Sequence, residues 1–491
     1  MHATESALPR YRQLANSLLD GIAKAGLKAG NRLPSVRMLA VQHGVSLTTA
    51  LQALRWLETQ GKIYARPRSG YFVARSAARP AAGRRNTWTA PQPELDAQAR
   101  DHLAMVGSPC SVQLDLAAGE PSLYPIDRFS VLLRRFAYQQ NTLVGSYVRG
   151  TGHPDLRREI VRQAMQYPCD LDPEEVVVTN GCTEALNLAL RAVTRPGDVV
   201  AVESPTYFVL LQMLRSLELT ALPVRCLSNT GMDLGMLEEA LDRAPVKAVV
   251  TIANANNPVG SVASDSAKRA LVKLLKDRNV PLIEDDIFGD VCFGETRPRP
   301  VRAFDSNGNV LLCGGFSKSL SPGLRLGWIA AGRFTERVKA LKYATSMATV
   351  ELQQVAVAEM LAGGGYALHL RRLKKALQDQ QARLRDTIVR SFPAGTEVSR
   401  PAGGFVLWVR LPQIDGNSVS TRPLFEQARR EGIGIAPGHL FGEGTAYDDC
   451  LRVNAGYRWT SELGTAIERL GTLAKAARPS DIVIDTSRAR S

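Results

Sequence analysis

From Leu114 onward the chain alternates short apolar runs with amphipathic stretches. The runs include Val176-Val177-Val178-Thr179, Val199-Val200-Ala201-Val202, Ala248-Val249-Val250-Thr251-Ile252 and Pro281-Leu282-Ile283. Runs of three to five mostly apolar residues leave no face for water, so strands of this kind must be covered on both sides. Helices between them supply that cover, and the pattern predicts an α/β layered fold with a mostly parallel sheet. Two other broad classes lose support. No apolar run is long enough for a membrane span, and Met1-His2-Ala3-Thr4-Glu5 leads directly into an amphipathic helix with no signal peptide between. The seven cysteines are scattered without a Cys-x-x-Cys pair and the six histidines show no metal spacing. A disulfide framework and a structural zinc site are therefore not expected, and a reducing cytoplasmic setting is.

One lysine in this layered region has an unusual setting. Lys318 follows the apolar run Asn309-Val310-Leu311-Leu312 and sits in Gly314-Gly315-Phe316-Ser317-Lys318-Ser319-Leu320-Ser321-Pro322-Gly323-Leu324-Arg325. Most lysines are solvated surface charges. A lysine after a buried strand, with an arginine seven residues on, suits a Schiff base with pyridoxal phosphate (PLP), Arg325 holding the phosphate.

Candidate partners for such a cofactor occur upstream in order. Asn180-Gly181-Cys182-Thr183-Glu184 follows a strand and opens a helix, where free N–H groups at Gly181, Cys182 and Thr183 can hold a phosphate. Tyr207, after Pro205-Thr206, can stack on a pyridine ring, although a core tyrosine would look the same. Asn257 in Asn256-Asn257-Pro258-Val259-Gly260 can offer its amide to the ring's 3′ oxygen, although Asn-Pro marks many ordinary turns. Glu284-Asp285-Asp286 follows an apolar strand, and a carboxylate at Asp285 can keep the pyridine nitrogen protonated. Arg452, in Cys450-Leu451-Arg452-Val453-Asn454, can clamp a substrate carboxylate in bidentate fashion.

The N-terminal part has a different character. Residues 1–85 hold 14 Lys and Arg against Glu5, Asp20 and Glu58, so they carry +11 of the chain's net +14. Such a local excess points to a polyanionic partner. Tyr11, Leu14, Ala15, Leu18, Leu19 and Ile22 follow helical spacing over 8–25. Ser35 and Ser46 stand as N-caps of helices over 35–43 and 46–60, the second with an inward face of Ala50, Ala53, Leu54 and Leu57. Two short strands, 63–66 and 71–74, flank Pro67-Arg68-Ser69-Gly70. Helix, helix-turn-helix and hairpin make a winged helix-turn-helix.

Over 8–75 the sequence resembles the GntR family of bacterial regulators. The match is carried by Gly30-Asn31-Arg32-Leu33-Pro34-Ser35-Val36-Arg37, Leu39-Ala40, Gly44-Val45-Ser46, Thr48-Thr49, Gly61 and Ser69-Gly70. The resemblance implies DNA contacts from Arg37, Ser46, Thr48, Thr49 and the wing around Arg68 and Gly70. Leu47 and Leu51 depart from it, standing where family members often carry arginine. Leucine cannot hydrogen-bond guanine but can pack on thymine methyls.

Region 113–475 resembles the fold-type I PLP enzymes, the aspartate aminotransferase superfamily. The motifs at 119–121, 147–152, 181–185, 205–207, 257–260, 285, 318, 325, 403–405, 437–438 and 452 follow that family's order. The resemblance implies that Tyr147 reaches the phosphate of a neighbouring subunit, so that the site is shared across a homodimer. The combined architecture resembles the MocR regulators, a GntR subgroup with an aminotransferase-like effector domain. Two positions depart from the aminotransferase pattern. Phe288 stands in place of a tyrosine that bonds the 3′ oxygen, and Gly315 in place of a phosphate-binding serine. Each loses a hydroxyl donor, about 1 kcal/mol per bond.

The expected organisation is a winged helix-turn-helix over 1–75, an interdomain linker over 76–112 with helical character near 94–106, and a PLP-binding effector and dimerisation domain over 113–478. That domain has a small subdomain over about 346–478, and a tail, 479–491, follows it. The expected function is a cytoplasmic, PLP-dependent transcriptional regulator that binds an operator in double-stranded DNA. It senses PLP or an amino acid or amine through external aldimine formation. The alternative is an active aminotransferase with an accessory DNA-binding domain. Weak transamination is expected because of Phe288 and Gly315. A head-to-tail, domain-swapped homodimer is one arrangement, and no membrane partner is expected.

Overall fold

The computed structural model describes residues 9–24, 27–66, 69–74, 97–107, 110–147, 150–227, 231–414 and 417–477. The chain divides into two compact units, Met1–Glu94 and Leu95–Ser491.

In the smaller unit α1 (Arg10–Lys24), α2 (Val36–Gln42) and α3 (Leu47–Thr59) precede a hairpin of β1 (Ile63–Arg66) and β2 (Gly70–Val73). The predicted helices stop inside their expected bounds because the flanking residues are caps. Ser35 accepts a hydrogen bond from the Met38 N–H at 3.3 Å, and Ser46 accepts one from the Thr49 N–H at 3.1 Å. Each satisfies a first-turn donor that has no intrahelical acceptor. The apolar face read from spacing is the core: Leu14, Ala15 and Leu18 of α1 meet Ala50, Ala53, Leu54 and Leu57 of α3, with Leu39 and Ile63 closing the cluster. Burying each leucine is worth about 1.5–3 kcal/mol. The hairpin is antiparallel, Ile63 opposite Val73 and Arg66 opposite Gly70. Its second strand begins one residue earlier than expected, at Gly70, whose φ of +100° favours glycine.

The larger unit opens with α4 (Ala97–Gly107) and β3 (Val112–Gln113). Its main sheet is built from β4 (Val176–Thr179), β5 (Val199–Ser204), β6 (Thr220–Leu227), β7 (Gly231–Met232), β8 (Val246–Thr251), β9 (Leu282–Asp285), β10 (Val310–Gly315) and β11 (Gly327–Ala330). The strand order is β4-β11-β10-β9-β8-β5-β6-β7. The five central strands run parallel, and β11 and β7 pair antiparallel with their neighbours. The α/β, mostly parallel reading therefore holds. A second sheet comprises β12 (Glu397–Val398), β13 (Val406–Arg410), β15 (Ala436–Pro437) and β16 (Cys450–Asn454), with β14 (Ile433–Gly434) just before β15. This smaller sheet has its own apolar core, in which Leu407, Val409, Leu451 and Val453 meet Leu384, Leu424 and Leu470.

The far end of the expected linker of 76–112 clusters with the larger unit and carries the helix expected near 94–106. Residues 97–107 form α4, and β3 pairs in parallel with β14 in register Val112 to Ile433. The Gln98 side chain donates to the carbonyls of His439 and Gly442 at 2.8 and 2.9 Å, and Met105 is buried in the small-sheet core. The segment has few large apolar groups, so its sequence resembles a linker. Polar contacts of Gln98 and the burial of Met105 anchor it, and its partners lie over three hundred residues away. Residues 75–96 and the expected tail, 479–491, lie outside the described residues.

Candidate functional site

Parallel strands end on one side of the sheet, and loops leaving those ends converge there. Seven of the candidate side chains arrive in this way, from the ends of five strands. Cys182 and Thr183 open the helix Cys182–Val193 after β4, and Tyr207 caps the helix Phe208–Ser216 after β5. Asn257 follows β8, Asp285 is the last residue of β9, and Ser317 and Lys318 follow β10. Arg325 lies in the turn before β11, and Arg452 comes from β16. All of these line one cavity of about 340 Å³.

Burial sets the chemistry of that cavity. Lys318 donates from Nζ to the Ala117 carbonyl at 2.7 Å. Burial, with the charges of Arg452 and Arg325 adding to it, pulls its ammonium down to about 8, and Asp285 opposes the shift. A lysine titrating so near neutrality is a competent nucleophile. Asp285 is 5% exposed. Burial pushes its carboxyl up to about 6 against the Ile287 N–H, which donates to Oδ1 at 3.1 Å, and the Cys182 thiol, 3.4 Å from the same oxygen. Arg452 is 2% exposed; Nη1 donates to Asn257 Oδ1 at 3.0 Å and Nη2 to the Asp115 carbonyl at 2.5 Å. Its guanidinium lies against the rings of Phe208 and Phe441, 5.4 and 5.1 Å from their centroids, and burial draws it down to about 10. The Nε of Arg452 and Oδ1 of Asp115 are buried without a protein partner among the described residues.

The helix start at Cys182 is shaped for an anion. Gly181 has φ +84°, and a Cβ there would sit 2.7 Å from Arg325 Nη2. The missing side chain thus lets the guanidinium lie against the helix N-terminus. Gly327 has no room for a Cβ either, because the main chain of Gly181 and Cys182 fills that space. First-turn N–H groups with a cation beside them suit a phosphate. A buried carboxylate, a lysine of lowered basicity and an anion cradle in one cavity are the donor set that a phosphorylated pyridine aldehyde requires.

The two departures differ in place. Phe288 lines the cavity, its ring centroid 5.7 Å from Lys318 Nζ. Gly315 is not in that wall. A Cβ there would meet Ile287 Cδ1 at 3.0 Å and the Leu326 carbonyl at 3.1 Å, so the backbone has closed over the space. Tyr147 is 89% exposed and away from its own chain's cavity. Sequence reasoning missed a wall of the cavity: Met105 and His102 from α4, with Asp115, Leu116, Ala117 and Phe208. No motif marks them, because α4 reaches the cavity only through tertiary contacts.

On the smaller unit Arg37 and Thr48 are exposed, as is Gly70. Ser46 and Thr49 are partly engaged in the cap, their hydroxyls 2.9 Å apart. Arg66 stacks its guanidinium on Phe72 and Tyr64, at 4.8 and 5.5 Å. Leu47 is 53% exposed at the start of α3. Arg68 lies outside the described residues. No helix among the described residues is long and apolar enough to cross a membrane.

Comparison with known proteins assigns both units. Residues 111–470 match the family model for aminotransferase class I and II, and residues 10–73 match that for bacterial regulatory proteins of the gntR family. The chain is 35% identical over 470 residues to the HTH-type transcriptional regulator YjiR of Escherichia coli (strain K12), with 94% of this chain and 98% of that protein covered. YdcR of the same organism, also described as an HTH-type transcriptional regulator, is 35% identical with 95% and 99% covered. Among solved structures, kynurenine aminotransferase from Pyrococcus horikoshii, in complex with PMP and kynurenine, is 25% identical with a TM-score of 0.71, covering 78% of this chain and 95% of that one.

Proposed function

This chain belongs to the aminotransferase class I and II family in its large unit and to the gntR family of bacterial regulators in its small one, and on that premise we propose that it is a PLP-dependent transcriptional regulator whose cavity reads an amino acid or amine. The observation that carries this reading is a chain with a basic winged helix-turn-helix and, in its larger unit, a cavity holding Lys318, Asp285, Arg325 and Arg452 together. PLP supplies an aldehyde that joins an amine covalently and a ring that withdraws electrons. Lys318 is its attachment point, and the amine it presents is partly neutral near pH 7 because burial disfavours the ammonium. Asp285 would hold a proton on the ring nitrogen. The helix start at Cys182 and Thr183, with Ser317 and Arg325, would hold the phosphate. Tyr207 would stack on the ring, and Asn257, its carbonyl turned to Arg452, would offer its amide to the ring oxygen. Arg452 is positioned for a ligand carboxylate, which would displace part of its present hydrogen bonding.

Regulation requires two conformations with different ligand affinity and different DNA affinity. Arg37, Ser46, Thr48, Thr49 and Gly70 are the proposed DNA contacts, and Tyr147, exposed on its own chain, is the proposed contribution to a partner's site. The domains expected at 1–75 and 113–478 remain the working division, with α4 assigned to the effector part.

The test uses the full-length protein. PLP should give a visible absorption band fixed by borohydride, amino acids should shift it, and the same additions should change affinity for duplexes selected from a random pool. Lys318→Ala should abolish the band while leaving ligand-free DNA binding intact. A borohydride-fixed chromophore surviving in that variant would overturn the assignment.

A further inference from the structure

The cofactor and carboxylate roles leave one stretch of the cavity wall unused. It is formed by His102 and Met105 of α4, by Leu116, and by Phe208 and Val209 after β5. Arg452 borders it, because its guanidinium lies 5.4 Å from the Phe208 ring centroid. A ligand carboxylate on Arg452 would therefore have this wall beside it. Four of these five residues are apolar; the exception is His102. The His102 ring meets Phe208 edge-on, with centroids 4.9 Å apart and planes at 65°, and makes no hydrogen bond among the described residues. Burial holds the imidazole below its usual range and so favours its neutral form, which offers one donor and one acceptor.

The placement of His102 is braced. The adjacent Asp101 accepts from Arg422 at 3.0 Å and contacts His439 Nε2 at 2.8 Å, and Gln98 holds the carbonyls of His439 and Gly442. Two turns of α4 are thus fixed to the small-sheet side, with His102 and Met105 aimed at the cavity.

Resting on the reading that this cavity receives PLP and an amino acid, we infer that His102 is a specificity residue for the ligand's side chain, and that the preferred ligand is an amino acid with an aromatic side chain ending in a hydroxyl. The wall supplies an aromatic face at Phe208, a soft sulfur-bearing neighbour at Met105, and beside Phe208 a hydrogen-bonding imidazole at His102. A site built to hydrogen-bond a hydroxyl rejects the analogue that lacks it far more strongly than an apolar pocket rejects a change in size.

The experiment compares L-tyrosine, L-phenylalanine and L-alanine by spectral titration of the full-length, PLP-loaded protein. The wild type should bind tyrosine at least about tenfold more tightly than phenylalanine. In His102→Ala that ratio should fall to within about twofold, with alanine affinity and cofactor loading unchanged. His102→Gln, which also donates and accepts, should keep part of the ratio. The inference is overturned if the wild type does not distinguish tyrosine from phenylalanine, if the ratio survives in His102→Ala, or if alanine affinity falls with it. Failure of the underlying reading looks different: no Lys318-dependent chromophore forms at all.

Discussion

Acetylation of Lys318 in the cofactor-free protein should show its inflection near pH 8. Burial and two nearby arginines bring the group from 10.5 to about 8. At pH 7 the neutral amine is then roughly one part in eleven, against roughly one in three thousand for an ordinary lysine, a gain of about 300-fold. Mass spectrometry of reagent-labelled protein from pH 6 to 10 would follow it, with surface lysines as internal controls. Two variants should move the inflection in opposite directions. Arg452→Leu removes a cation that disfavours the ammonium, so the inflection rises; Asp285→Asn removes an anion that favours it, so the inflection falls. Neither should restore 10.5, because burial is the largest cause. The same shift has a stability sign. Between the folded value near 8 and the unfolded value near 10.4, the unfolded chain binds more protons, so the cofactor-free protein gains stability as pH rises through that window, by at most about 1.4 kcal/mol per pH unit. An inflection at 10 or above, or two variants shifting the same way, would refute this account of the site.

DNA affinity should fall steeply with salt and Arg37→Ala should weaken it without altering the PLP spectrum, measured by fluorescence anisotropy; unchanged affinity in a protein lacking residues 1–85 would contradict the assignment. Leu54→Ala, at a fully buried position of the smaller unit, should cost that unit about 2–5 kcal/mol by denaturant unfolding while the chromophore persists. Arg452→Leu should weaken binding of carboxylate ligands by about 2–5 kcal/mol in spectral titration, with cofactor loading retained. Transamination followed with a keto acid should stay well below the typical turnover of about 10 s⁻¹, and PLP affinity should track dimer formation in sedimentation, with Tyr147→Phe weakening both.

The sequence by itself determined the local structure and the cofactor chemistry. Cap residues at 35 and 46, apolar spacing in α1 and α3 and uninterrupted apolar strands encode their elements through nearest neighbours along the chain, which is why those boundaries came within a residue or two. The meeting of Lys318, Asp285, Asn257 and Arg452 in one cavity was legible because each follows a strand or lies in one, and parallel strands send their ends to one place. Tertiary structure decided what depends on neighbours distant in sequence. It lowered the basicity of Lys318 through burial, turned Asn257 toward Arg452, and removed Gly315 from the cavity wall by closing Leu326 and Ile287 over it. It also made part of an apparent linker into a wall of the site. Polar contacts to residues 422, 439 and 442 hold α4, and no pattern within eleven residues can announce partners more than three hundred residues away.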